Sequence, residues 1–262
     1  MYRVFRGIKR RLIAGENFNT YLVYSVGEFV LVVLGIVIAL QIDNWNDRRK
    51  ARNEEVLILQ EIRGNLEYDL SDFTKNLVHF ENIQISSKHL LKAIETNLDN
   101  HDSLSFHMYL VGLFPHFSFN KSGYELLKSK GLELISNDSL RQAITNLYED
   151  RYSYLMTWEN ERIAYNATHI NSLKNKYLGT KSLYAESQPE SYTKTRSVDY
   201  IVSVGGVRKL LNYEALKKDT ELISIIKDLE TYAALLYWIH FNVQEMITDL
   251  VDHIEYVLEE LR

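Results

Sequence analysis

Glu28 sits where a carboxylate is expensive. It interrupts the apolar stretch "TYLVYSVGEFVLVVLGIVIALQIDNW", residues 20–45. Such a group can hydrogen-bond across a contact between helices. It can also join a ring of carboxylates around a pore that passes cations or protons, or ride on a monomeric anchor by reaching for the head groups. At about 100° per residue, Gly35 and Ala39 fall within about 20° of Glu28 on a helix, and Asn46 falls in line with it. Small residues let helices approach, and polar groups then bond across the gap. The first expectation is therefore self-association, or a partner helix, on the Glu28–Gly35–Ala39–Asn46 face. A homo-oligomeric ion or proton channel lined by Glu28 is the alternative.

The remaining chemistry-bearing residues form no recognisable constellation. His101, His107 and His116 are spaced by six and nine, with Asp102 beside the first. That spacing matches neither a common zinc site nor a helical i, i+4 pair. Serine, histidine and aspartate are present without a G-x-S-x-G elbow. Glu54–Glu55 and Glu259–Glu260 are adjacent on helices and so diverge. Gly205–Gly206 lacks the lysine of a phosphate loop. There is no cysteine, which excludes disulfides and thiolate sites. No catalytic residue, metal or cofactor is expected. His240 stands out differently, as the one polar position in an otherwise apolar seam, where histidine could sense pH.

The elements that must carry these groups begin with a basic leader. Arg3, Arg6, Lys9, Arg10 and Arg11 surround an apolar side in residues 1–20, which fits an interfacial segment among anionic lipids. Residues 21–42 then read as a transmembrane helix. Twenty-two residues at about 1.5 Å each span about 33 Å, the thickness of a bilayer core. Tyr21, Tyr24 and Trp45 flank it, where aromatic rings prefer the interface. No A-x-A cleavage pattern follows. A short basic leader resists translocation while a long domain crosses regardless of charge. The expected topology is single-pass, with the N-terminus cytoplasmic and residues 46–262 periplasmic.

Residues 27–45 also resemble the opening of an uncharacterised bacterial family of single-pass membrane proteins. Gly27, Glu28, Leu31, Gly35, Ile36, Ala39, Leu40, Gln41, Asn44 and Trp45 carry the likeness. A second stretch does so through Tyr124, Glu125, Leu127, Lys128, Gly131 and Ile135. The resemblance implies a bacterial inner-membrane protein and implies no activity.

Residues 43–262 should form a helical extramembrane domain. Two prolines and eleven glycines in 262 residues leave long stretches free of helix breakers. Leu59, Ile62, Leu66, Leu70, Phe73, Leu77 and Phe80 trace one helix face, unbroken from the membrane or interrupted near Ser86–Ser87. Residues 99–122 read as irregular. Ser122-Gly-Tyr-Glu125 reads as a capping box, with Gly131 ending its helix. "SNDS", residues 136–139, supplies a second N-cap. Leu140, Ile144, Leu147, Tyr148, Leu155, Trp158, Ile163, Ile170, Leu173 and Tyr177 predict a long helix, followed by a polar loop over 179–198. From Leu222 to Leu261, steps of four and three make a heptad seam through His240.

The expected fold is all-α: one N-terminal transmembrane helix, then a long-helix antiparallel bundle or coiled coil. Residues 43–262 carry 25 basic and 33 acidic side chains, which argues against nucleic acid. The expected partners are the lipid bilayer, further copies of the chain and an unidentified membrane protein. The expected role is a non-enzymatic scaffold or binding module at the inner membrane, or else a channel, or a receptor subunit whose output comes from a partner.

Overall fold

The computed structural model describes residues 18–99, 102–113, 115–170, 175–182 and 208–261. The chain divides into two compact units, Met1–Glu55 and Val56–Arg262. It is mostly helical.

Helix α1 runs without interruption over Phe18–Glu95. The alternative of a break near Ser86–Ser87 does not occur, since both serines are buried within it. The helix ends in a Schellman motif. Asn97 adopts φ 52°, its N–H bonds Ile94 O, and the Leu98 N–H bonds Ala93 O. Asparagine tolerates this left-handed position better than most residues.

In the first unit, every large apolar side chain described between Leu22 and Ile42 is exposed. In the second unit, α1 buries Leu59, Ile62, Leu66, Phe73, Phe80, Ile83 and Leu90. The seam does not follow Leu70 and Leu77, which are half-buried. Asp69 and Asn76 occupy it instead, and with Ser87 they let steps of three and four continue unbroken from Leu59 to Leu90 through three polar residues.

Residues 99–122 are not wholly irregular. Asp102–Val111 forms helix α2, which packs Leu104, Met108 and Val111 against Leu90, Ile170, Leu178 and Leu210. Helix α3, Ser122–Lys130, ends at Gly131 (φ 106°), as its sequence predicts. Its N-terminus corrects the capping-box reading. Asn65 of α1 accepts from the Gly123 N–H (3.0 Å) and the Ser122 hydroxyl (3.2 Å), while Glu125 pairs with Lys121. A cap borrowed from another helix leaves no local spacing to read.

Helix α4, Asp138–Thr145, starts as expected, with Asn137 Oδ1 accepting the Leu140 N–H at 3.0 Å. A π-turn at Asn146–Arg151 leads into α5, Tyr152–Tyr165, and a second π-turn follows at Asn166–Ile170. Within this run Trp158 is half-buried and Ile163 exposed, whereas Glu159, Arg162 and Asn166 are buried.

The all-α expectation needs one correction. Strands β1, Leu178–Ser182, and β2, Arg208–Leu210, pair antiparallel with Leu178 opposite Leu210. Strand β1 falls at the start of the 179–198 stretch read as loop; the rest of that stretch and Gly205–Gly206 lie outside the described residues. A short helix α6, Tyr213–Leu216, precedes α7, Thr220–Glu260. Asp219 caps α7 by accepting the Leu222 N–H at 3.0 Å, and it also holds Lys176 and the Tyr177 hydroxyl.

The heptad seam of α7 is buried from Leu222 through Val257. Three contacts fix its course along α1: Arg63 with Glu255, Thr74 with Gln244, and Lys88 with Glu230. Eleven residues up α1 match eleven down α7, then fourteen match fourteen. The two helices therefore run antiparallel in constant register over seven turns.

Candidate functional site

Two groups of residues have chemistry beyond packing, one in each unit. In the first unit, Glu28, Gly35 and Ala39 are exposed on α1 and Asn46 is partly covered. A Cβ at Gly35 would meet nothing within 4 Å, so this face is open. Trp45 is also exposed, with the Arg49 guanidinium 5.3 Å from its ring centre. Tyr21 and Tyr24 lie on α1, but their side chains fall outside the described residues. So do Arg3, Arg6, Lys9, Arg10 and Arg11. This helix is the one described stretch that is long and apolar enough to cross a membrane.

In the second unit, polar residues from three helices meet in the core. Glu159 of α5 is 2% exposed and His240 of α7 is 0% exposed. The His240 Nε2–H donates to Glu159 Oε1 at 2.8 Å. Both Glu159 oxygens also accept the Phe117 N–H, at 3.1 and 2.9 Å. Phe73, Phe80 and Phe117 surround the imidazole edge-on, with ring centres 5.0, 4.9 and 6.3 Å away. One turn from Glu159, Arg162 donates to Leu113 O at 2.7 Å and lies over the Phe80 ring. Burial pushes its guanidinium down to about 10, and the Glu159 charge opposes that.

Asp69 forms a second node. Its Oδ2 accepts the Tyr152 hydroxyl at 2.7 Å and its Oδ1 accepts the Asn120 N–H at 3.1 Å. Burial pushes the carboxyl up to about 6, against those two hydrogen bonds. The same burial, with the Asp69 charge, pushes the Tyr152 hydroxyl far above the ordinary tyrosine range. Tyr148 moves the same way for the same reasons.

Several buried atoms near these nodes have no partner: His240 Nδ1, Arg162 Nε, Asn76 Nδ2 and both polar atoms of Asn166. Glu159 and His240 are closed to substrates in this arrangement. What the layer can do is choose one register among helices that would otherwise slide along apolar seams. Sequence reasoning found His240 and missed Asp69, Glu159 and Arg162. A signal was available for Asp69, which takes the three–four step between Leu66 and Phe73; Glu159 and Arg162 continue the spacing of Tyr152 and Leu155 by steps of four and three.

The histidines of the irregular region do not converge. The His107 ring faces Ser86 and stacks on His89, with ring centres 4.7 Å apart. His116 is exposed and His101 lies outside the described residues. Among the described residues no three histidine or carboxylate groups are placed to share a metal ion.

Residues 28–204 match the model of a family of unknown function, DUF6090. The chain belongs to that family. The matched stretch opens at Glu28 and takes in Asp69, Glu159 and Arg162, while His240 lies beyond it. No curated protein and no solved structure matches the chain.

Proposed function

We propose that this DUF6090 chain is a non-enzymatic, single-pass membrane protein. The apolar part of α1 crosses a bacterial inner membrane, with the N-terminus cytoplasmic and residues 46–262 periplasmic. Copies associate through the Glu28–Gly35–Ala39–Asn46 face. The second unit is an antiparallel helical bundle that serves as scaffold or binding module.

One observation carries this reading: fourteen large apolar side chains between Leu22 and Ile42 are exposed. Water-soluble surfaces do not expose patches of that extent without a partner. On insertion scales, Leu, Ile, Phe and Val each favour the bilayer by about 0.3–0.6 kcal/mol. Fourteen of them outweigh the roughly 2.5–3.5 kcal/mol that one carboxylate costs at the helix centre. Association lowers that cost further: the open glycine face admits a second helix, and the Glu28 carboxyl then hydrogen-bonds across the contact.

The copy number of the full-length protein in nanodiscs tests the association, with Glu28→Leu alongside. A defined oligomer that dissociates in the variant supports the reading. A monomer in both leaves only an anchor, and the association is then wrong.

A further inference from the structure

Helices α5 and α7 leave an aromatic groove on the surface of the second unit. Trp158 and Tyr165 lie seven residues apart on α5, two turns along one face. Asp228, Thr231, Tyr232 and Leu235 lie on the facing side of α7. Together they line a concavity of about 390 Å³. The Tyr165 and Tyr232 rings meet with centres 5.3 Å apart at 52°, which makes a V-shaped aromatic corner. Asp228 stands at that corner, its Oδ2 accepting the Tyr165 hydroxyl at 2.6 Å.

The groove is electron-rich. Among its lining residues the one formal charge is the Asp228 carboxylate, and three aromatic side chains border it, Trp158, Tyr165 and Tyr232. Two hydroxyl donors are already used internally, Tyr165 on Asp228 and Thr231 on the Lys227 carbonyl (3.0 Å). An anion would meet the Asp228 carboxylate with no formal positive charge among the lining residues to offset it. A cation with apolar substituents needs what is present: ring faces for its alkyl groups and a carboxylate for its charge.

We propose that the Trp158–Tyr165–Tyr232–Asp228 groove binds an alkylated ammonium cation of the choline type. The ring faces take the methyl groups and Asp228 balances the charge. Binding does not depend on whether α1 enters a membrane.

Isothermal titration of the full-length protein tests this, in nanodiscs of phosphatidylglycerol so that no choline is present beforehand. The probes are choline, tetramethylammonium and the neutral isostere 3,3-dimethylbutan-1-ol. Saturable binding of both cations is expected, with the neutral probe weaker by about fivefold or more, since cation–π attraction is lost with the charge. Asp228→Asn and Tyr232→Leu are partly exposed substitutions that should each weaken choline by about fivefold. Their melting temperatures should match the parent. Capture of phosphatidylcholine vesicles would assign the cation to a lipid head group, and binding of free choline alone to a small solute; either upholds the proposal. No saturable binding of either cation overturns it. So does equal affinity for the neutral isostere, or unchanged affinity in both variants.

Discussion

Two stretches of α1 treat polarity in opposite ways. Between Leu22 and Ile42 the apolar side chains face outward, and Glu28 is exposed among them. Between Asn65 and Ser87 the polar side chains Asp69, Asn76 and Ser87 face inward, while Leu70 and Leu77 are half-buried. Both stretches are helical and both lack proline. What differs is the surroundings each must satisfy. The first has no protein against it among the described residues, and we propose that lipid covers it. The second has α5 and the 115–123 segment against it, and those bond Asp69 and Asn65, while Asn76 Nδ2 and Ser87 Oγ are buried without a partner. Hydropathy predicts burial for an apolar residue; for a polar one, the partner decides.

The sharpest way to break that contrast is to remove one polar partner from the core. Glu159→Ala strands the Phe117 N–H and His240 Nε2 and removes the carboxylate charge beside Arg162. Breaking a buried ionic group in this way costs about 3–5 kcal/mol, so urea unfolding should show a loss of that size. A loss under 1 kcal/mol would mean the layer is wetter than its burial implies.

Gly123 comes next. An added Cβ would lie 2.9 Å from the Ile62 backbone N and Cγ1, where α3 approaches α1. Gly123→Ala should destabilise by about 1–3 kcal/mol, the usual range for overpacking, read as a lower denaturation midpoint.

Asp69 gives a pH dependence with a definite sign. Its carboxyl is raised in the folded state, from 3.8 to about 6. Between those values the folded chain holds a proton that the unfolded chain releases. Protonation therefore favours folding; its contribution is lost as pH rises through 6. Asp69→Asn keeps an acceptor for the Asn120 N–H without the charge. It should raise stability at pH 7.5 by about 1–2 kcal/mol and make little difference at pH 4.5. Equal effects at both pH values would show that Asp69 does not titrate in this window.

The smallest effect belongs to Leu77, which the apolar pattern places in the seam and the structure leaves half-buried. Leu77→Gln should cost less than about 1 kcal/mol, as expected away from a packed core. Phe73→Ala, at a true seam position, should cost about 3–5 kcal/mol.

Much of this was legible in advance. The α7 seam was readable residue by residue because its one polar member, His240, kept the step. The Gly131 stop and the Asn137 cap were local features and were readable too. The α1 seam was misread at Leu70 and Leu77 because the pattern was followed through apolar residues alone. Asp69 and Asn76 hold the correct steps, but the groups that bond Asp69 lie more than forty residues away. The Asn65 cap on α3 and the pairing of Leu178 with Leu210 are equally tertiary. Helix α2 was hidden by its polar start and its length of ten residues. In the first unit the contact face could be drawn from spacing, and a single chain leaves it open.

We propose that residues 22–42 are covered by lipid, whereas Asn65 and Asp69 farther along α1 are satisfied by protein. The absence of cysteine allows single-cysteine mapping of the intact chain. Leu34→Cys and Ser224→Cys, both exposed positions, would be treated in intact cells with a membrane-impermeant maleimide. The account predicts rapid labelling at 224 and none at 34 until the membrane is dissolved and the protein denatured. Equal labelling at both positions in intact cells would place the apolar helix in water and contradict it.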